Sequence, residues 1–152
     1  MPRVFLAPRS NETSYKNFLS TIEHGTDYSV VESFLNEEGK LRLSNLGKLF
    51  VWGNKDTSRT SFDKMQVGDT VLFYRGKKRK DETEGRIAYA GKVVHTQYSR
   101  ELSLALWPPK EGEAPWSCVF FLDSLHQTDI QSRLYLNWPA TSLGFSFRAL
   151  CH

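Results

Sequence analysis

The chain has 152 residues, 39% hydrophobic and 24% charged, with a formal net charge of +3 and a pI near 8.9. That composition belongs to an ordinary globular domain and excludes a disordered or low-complexity chain. No apolar run nears the roughly 20 residues of a membrane-spanning helix, and the stretch from Met1 to Pro8 is too short in apolar residues for a signal peptide.

Val4 to Ala7 reads as a short strand stopped by Pro8. Asn11 is placed to cap a helix with Tyr15, Phe18, Leu19 and Ile22 on one face, ended by Gly25. Val30, Val31, Phe34 and Leu35 fit a second helix, closed near Gly39, and Leu41, Leu43 and Leu46 alternate weakly. From Lys48 the texture changes. Leu49 to Trp52 is a strand broken by Gly53, Ser61 to Met65 is one helical turn with Phe62 and Met65 on one side, and Gly68-Asp69 marks a turn. Thr70 to Arg75 is the next strand, residues 76–85 a charged loop, and Arg86 to His95 a long strand in which Gly91 permits a bulge. Ser99 caps a helix carrying Leu102, Leu104, Ala105 and Leu106, ended by Trp107-Pro108-Pro109. Trp116 to Asp123 is a buried strand, Asp129 to Leu136 a short helix, and Phe145 and Phe147 alternate in a last strand.

Strands with short helices between them predict an α+β fold, its sheet curled into a partly open β-barrel. Residues 1–47 read as an extension of one strand and helices, and residues 48–152 as the barrel. Cys118 and Cys151 are too few for a disulfide framework, and no Cys/His spacing resembles a zinc site. A reducing cytoplasm is the expected home, and no metal or cofactor is expected.

The order Phe50-Val51-Trp52-Gly53, then Phe62, then Val67 to Tyr74, then Ile87 to Val93, continued by Leu104 to Trp107 and Trp116 to Leu122, resembles the EVE-like domains of the PUA superfamily. These are relatives of the YTH readers of methylated adenine. Within that group the chain looks most like the N-terminal modified-DNA-binding domains attached to McrB-type restriction GTPases. The resemblance covers about residues 48 to 150. It implies a PUA/EVE-like barrel with short flanking helices, whose open end receives a flipped base in an aromatic cage. Where EVE proteins proper carry two charged residues after the first barrel strand, this chain has Gly53-Asn54-Lys55, which favours the restriction-linked branch. The chain is further expected to be one part of a longer restriction protein.

The residues of that pocket follow from the resemblance and from the chemistry of an extruded base. A base leaving the duplex loses stacking, which aromatic rings restore. Trp52 is expected to form one wall, and Tyr74, Tyr89, Trp107 and Trp116 are the other aromatic candidates. Each has a structural alternative: Trp52 can plug the barrel end, Tyr74, Tyr89 and Trp116 can be core, and Trp107 can cap the barrel. Asn54 and Asp123 each follow a strand and carry the donors and acceptors to read a base edge. Lys55, Arg59, Arg75, Lys77, Lys78, Arg79 and Lys80 are candidates for phosphate contacts, which supply most nucleic-acid affinity; the last four can equally be a solvated loop tip.

Enzyme motifs are set aside. Glu38-Gly39-Lys40, with Asp27 upstream, has the spacing of metal-dependent nucleases, but such pairs belong on a central strand and this one falls in a helical segment. No Gly-x-Ser-x-Gly, phosphate-binding-loop or deaminase zinc pattern occurs. The sequence therefore predicts a non-enzymatic reader of N6-methyladenine or methylcytosine in double-stranded DNA, working with other restriction-system domains or subunits and not with a membrane. Two alternatives remain open: an RNA-binding module of the same kind, and an adaptor holding a protein or small molecule at the barrel mouth.

Overall fold

A computed structural model describes residues 2–8, 16–75, 86–131 and 147–149. Its elements are β1 (Val4–Pro8), a π-helical turn (Leu19–Glu23), β2 (Thr26–Asp27), α1 (Tyr28–Val31) running into a 3-10 turn (Glu32–Phe34), and α2 (Glu37–Leu43). Then come β3 (Lys48–Asn54), a 3-10 turn (Asp56–Ser58), α3 (Arg59–Phe62), β4 (Thr70–Arg75), β5 (Arg86–Tyr98), α4 (Arg100–Leu106), β6 (Cys118–Gln131) and β7 (Phe147–Ala149). The strands form one mixed sheet in the order β2-β3-β6-β5-β4-β1-β7. Its two ends, β2 and β7, do not pair with each other, so among the described residues the sheet is not closed. The β5–β6 ladder shifts register at Ile87/Tyr89, Gly91/Val93 and Val93/His95. Bulges of this kind bend a strand and increase its twist.

Both faces of the sheet are covered. Trp52, Cys118, Phe120 and Leu122 belong to one buried cluster, with Phe18 and Ile22 from the π-turn region, Phe62 and Met65 from the α3 turn, and Phe5, Val71 and Phe73 from the neighbouring strands. Leu49, Val51, Val119 and Phe121 belong to the other, with Val31, Leu43, Leu102 and Trp107 from the helical side. Burial on both faces is why Leu49 to Trp52 and Cys118 to Leu122 read as continuous apolar runs and not as alternation. The Ser99 cap is present, its Oγ accepting from Leu102 N–H at 3.1 Å, and Leu102 is buried while Leu104 is exposed.

Several elements differ from the sequence reading. β1 lies inside the sheet, parallel to β4 on one side and to β7 on the other. Its entry is tied down by polar contacts: Arg3 N–H donates to Asp69 Oδ1 at 2.8 Å, Thr70 N–H donates to Arg3 O at 2.8 Å, and Arg3 Nη1 reaches Lys64 O at 2.7 Å. Asp129 to Gln131 continue β6 and are not helical; residues 132–136 of that expected helix lie outside the described residues, as do Asn11, Tyr15 and Phe145.

Gly39 does not close a helix. It sits in the first turn of α2, where Asn36 Oδ1 accepts from Gly39 N–H at 2.8 Å as the cap. A methyl group on Gly39 would lie 2.7 Å from His95 Nε2, so glycine lets α2 approach β5. Its neighbours make helix-surface ion pairs, Glu38 with Arg42 and Glu37 with Lys40. His95 is 1% exposed. Arg42 Nη1–H donates to its Nδ1 at 3.3 Å, which leaves Nε2–H to donate to Gln97 Oε1, also at 3.3 Å. Gln97 in turn accepts from Asn36 N–H at 3.1 Å and donates to Phe34 O at 2.7 Å. Burial holds the His95 pKa below its ordinary value; the Gln97 hydrogen bond opposes this and the Arg42 charge adds to it.

Two outcomes follow. A shortened chain beginning at Lys48 lacks β1 and the π-turn, so it exposes the core around Phe73 and is expected to show no cooperative melt by circular dichroism. For His95, a folded-state pKa below the unfolded one means that the unfolded chain binds the proton first. Its contribution is present in full above about pH 6.5 and is lost as pH falls from there toward the folded value. His95→Gln is expected to show a smaller drop in Tm than the parent chain between about pH 7.5 and about pH 5.5.

Candidate functional site

Three of the four tryptophans come together where β3 ends. Trp52 is 2% exposed and Trp107 4%, while Trp116 is only partly buried. Their ring centroids lie 5.2 Å apart for Trp52–Trp116, 5.6 Å for Trp107–Trp116 and 6.3 Å for Trp52–Trp107. Phe18 and Phe73 complete the surroundings of Trp52 at 5.9 and 5.5 Å. Trp52, expected either as one wall of the pocket or as a plug of the barrel end, is packed among aromatic rings. The space beside Gly53 is filled from within, because a methyl group there would meet the Trp107 ring and the Trp116 carbonyl oxygen, each at 2.8 Å.

Trp107 is held at both ends. Its backbone N–H donates to Ser103 O at 2.8 Å, continuing α4, and its indole Nε1–H donates to Thr21 Oγ1 at 3.3 Å. The Thr21 hydroxyl donates to Val51 O at 2.6 Å. The π-turn, β3 and Trp107 are thereby joined by one buried chain of hydrogen bonds, a fitting use for a π-turn, which is uncommon and often found at functional sites.

Outside the Trp107 and Trp116 rings lies a cleft of about 150 Å³. Pro108 and Pro109 form part of its apolar wall, and Lys16, Asn17, Lys110 and Glu113 bring polar groups to it. Sequence reasoning missed these four. The available signal was the two tryptophans bracketing a segment with Pro108, Pro109 and Pro115, a composition that fixes a loop rather than freeing it.

The other expected residues are placed as follows. Asn54 continues β3 beyond Gly53 and is 8% exposed; its Nδ2 has no hydrogen-bond partner among the described residues. Tyr89 packs against Phe18 with centroids 5.1 Å apart. Asp123 is exposed and lies on β6 one residue beyond Leu122, which pairs with Phe50, toward the opposite end of β3 from Asn54. Lys55 follows β3, and its carbonyl accepts from the Cys118 thiol at 3.7 Å. Burial, with a smaller contribution from Asp56, pushes that thiol up to about 11, so it stays protonated at neutral pH and is no nucleophile. Arg59 donates to Asp63 Oδ1 at 2.9 Å and lies 3.9 Å over the Tyr98 ring, so its charge is already paired. Tyr74 and Arg75 belong to β4, but their side chains lie outside the description, as do Lys77, Lys78, Arg79 and Lys80 altogether. Among the described residues no group of His, Cys, Asp and Glu could hold a metal ion, and no helix is long and apolar enough to cross a membrane.

Against known proteins, no family model and no curated protein matches the chain. Among solved structures it is similar to the N-terminal domain of McrB from Thermococcus gammatolerans bound to m5C DNA. The TM-score is 0.60 at 21% identity, over 95% of this chain and 84% of that one. At that identity the likeness is one of fold, a mixed α+β domain with helices on both faces of its sheet.

The burial of Trp52 sets an expectation for stability. Removing a core tryptophan costs about 3 to 5 kcal/mol. Trp52→Ala is therefore expected to lower Tm by roughly 6 to 20 °C in a domain of this size, measured by a thermal melt.

Proposed function

We propose that this chain reads modified DNA. It takes a modified base, N6-methyladenine or a methylated cytosine, out of the duplex and holds it against aromatic rings. In this reading it is the targeting domain of a modification-dependent restriction system and an EVE-like member of the PUA superfamily. The observation that carries the proposal is the tryptophan-walled cleft, found on a fold whose solved neighbour is described as bound to m5C DNA.

The chemistry suits the task. An extruded base regains about 1 to 3 kcal/mol by stacking on an aromatic ring. Trp116 has ring surface to offer because it is only partly buried. Trp107 gives the second wall, and Trp52 packs behind both and keeps them in place. Asn54 is buried at the end of β3 and does not line the cleft, so its amide is a weaker candidate for reading the base edge. Lys16 and Lys110, at the cleft, are suited to the flanking phosphates, with Lys77, Lys78, Arg79 and Lys80 as further phosphate candidates. Asp123, Lys55 and the paired Arg59 are less favourably placed. The chain itself is proposed to be a binding module; nucleotide hydrolysis and strand cutting would belong to other domains or subunits.

Trp116→Ala is the direct test. The variant is expected to stay folded and to lose about 1 to 3 kcal/mol of affinity for modified duplex. Its affinity for unmodified duplex, held by phosphate contacts, should change little. Equilibrium binding to matched methylated and unmethylated duplexes at two salt concentrations checks this. An adaptor for a protein or small molecule would show no salt-dependent DNA affinity at all.

A further inference from the structure

We infer that the cleft accepts a single-ring base with a cytosine edge, and that Glu113 and Asn17 read that edge. The inference rests on the reader function proposed above and names its ligand. Size is the first argument. An enclosed protein cavity of about 150 Å³ takes one benzene-sized ring, and this cleft, open on one side, has about that volume between its walls. A pyrimidine is one six-membered ring, whereas a purine is two fused rings. The walls resist widening. Pro108 and Pro109 have fixed backbone torsions, and Trp107 is pinned by Ser103, Thr21 and the bare face of Gly53. Enlarging the cleft means moving a residue that is also part of the core.

The polar lining is the second argument. Glu113 is its one acid, beside Asn17 and two lysines. A tight turn sets Glu113 in place: its N–H donates to Lys110 O at 3.0 Å, and Gly112 takes the positive φ of 83° that the turn needs. An ionised carboxylate only accepts hydrogen bonds. Cytosine offers it the N4 amino group, the pairing that Glu and Asp make with that base. The Asn17 amide can then donate to the N3 or O2 acceptors. Thymine has the same ring size and a 5-methyl group but turns the O4 acceptor toward the carboxylate, so two acceptors would face each other. Adenine has an exocyclic amine too, and is opposed by size. A methyl at the 5-position of cytosine adds apolar surface against the Trp and Pro walls.

The experiment uses the full chain and fluorescence anisotropy. Four duplexes differ in one central base: 5-methylcytosine, cytosine, thymine or N6-methyladenine. The parent chain, Glu113→Ala, Glu113→Gln and Trp116→Ala are compared. The 5-methylcytosine duplex is expected to bind at least about tenfold tighter than the thymine and N6-methyladenine duplexes, as one good base contact allows. Glu113 is exposed, so Glu113→Ala should keep its Tm while the 5-methylcytosine-over-thymine ratio falls about tenfold. Glu113→Gln, which retains an acceptor oxygen, should keep part of the ratio. A preference for N6-methyladenine that Trp116→Ala abolishes would overturn this inference and leave the reader function standing. Equal affinity for all four duplexes would overturn both, and a ratio unmoved by Glu113→Ala would remove Glu113 from the site.

Discussion

The upper end of the sheet is organised around one close approach, the Trp107 ring lying on the backbone of Gly53. Any side chain at residue 53 would occupy the space of that ring and of the Trp116 carbonyl. With Trp107 seated there, the segment after α4 has to return across the end of β3, and Trp116 arrives against both Trp52 and Trp107. The two apolar clusters on opposite faces of the sheet meet at this point, since Trp116 packs against each of them. Aromatic pairs of this geometry add about 0.5 to 1.5 kcal/mol each beyond the area they bury. The cleft wall and the core closure are thus made by the same rings.

That economy explains the role of the N-terminal segment. The π-turn contributes Thr21, the only link between Val51 in β3 and the Trp107 indole in the described hydrogen bonds. Just before it, Lys16 and Asn17 face the cleft. β1, further upstream, is bonded on both sides by parallel partners. A segment that reads as an extension along the chain supplies a strand inside the sheet, an anchor for the tryptophan wall and part of the cleft lining.

What could be read from the sequence was local. The β4 run Thr70 to Arg75, the α4 cap at Ser99 and the Phe62/Met65 turn each depend on neighbours a few residues away, and their patterns survive folding intact. The tryptophans were legible as candidates by type, but not the return of Trp107 to Gly53, because no periodicity encodes a contact between a helix end and a strand distant along the chain. The parallel pairing of β1 with β4 was hidden for the same reason. Gly39 was misread because glycine has two uses, ending a helix and permitting close approach, and only the presence of His95 opposite selects the second. Lys110 and Glu113 were marked only by the tryptophans and prolines around them, and Lys16 and Asn17, helical residues far from that segment along the chain, carried no signal of their own.

On the proposed reading, the balance between holding DNA and choosing a base would follow from these placements. A net charge of +3 supports only modest attraction to phosphates, and Arg59, one of the cations nearest the end of β3, is already engaged by Asp63 and Tyr98. Phosphate contacts also weaken steeply with salt and carry no sequence information. If the chain is the reader proposed above, its selectivity would come from the few kilocalories per mole available from stacking and edge contacts. Such contacts count fully only when the walls are ordered beforehand, because ordering a loop on binding costs affinity. Trp107, pinned to Ser103, Thr21 and Gly53 and followed by two prolines, is a wall ordered in that way.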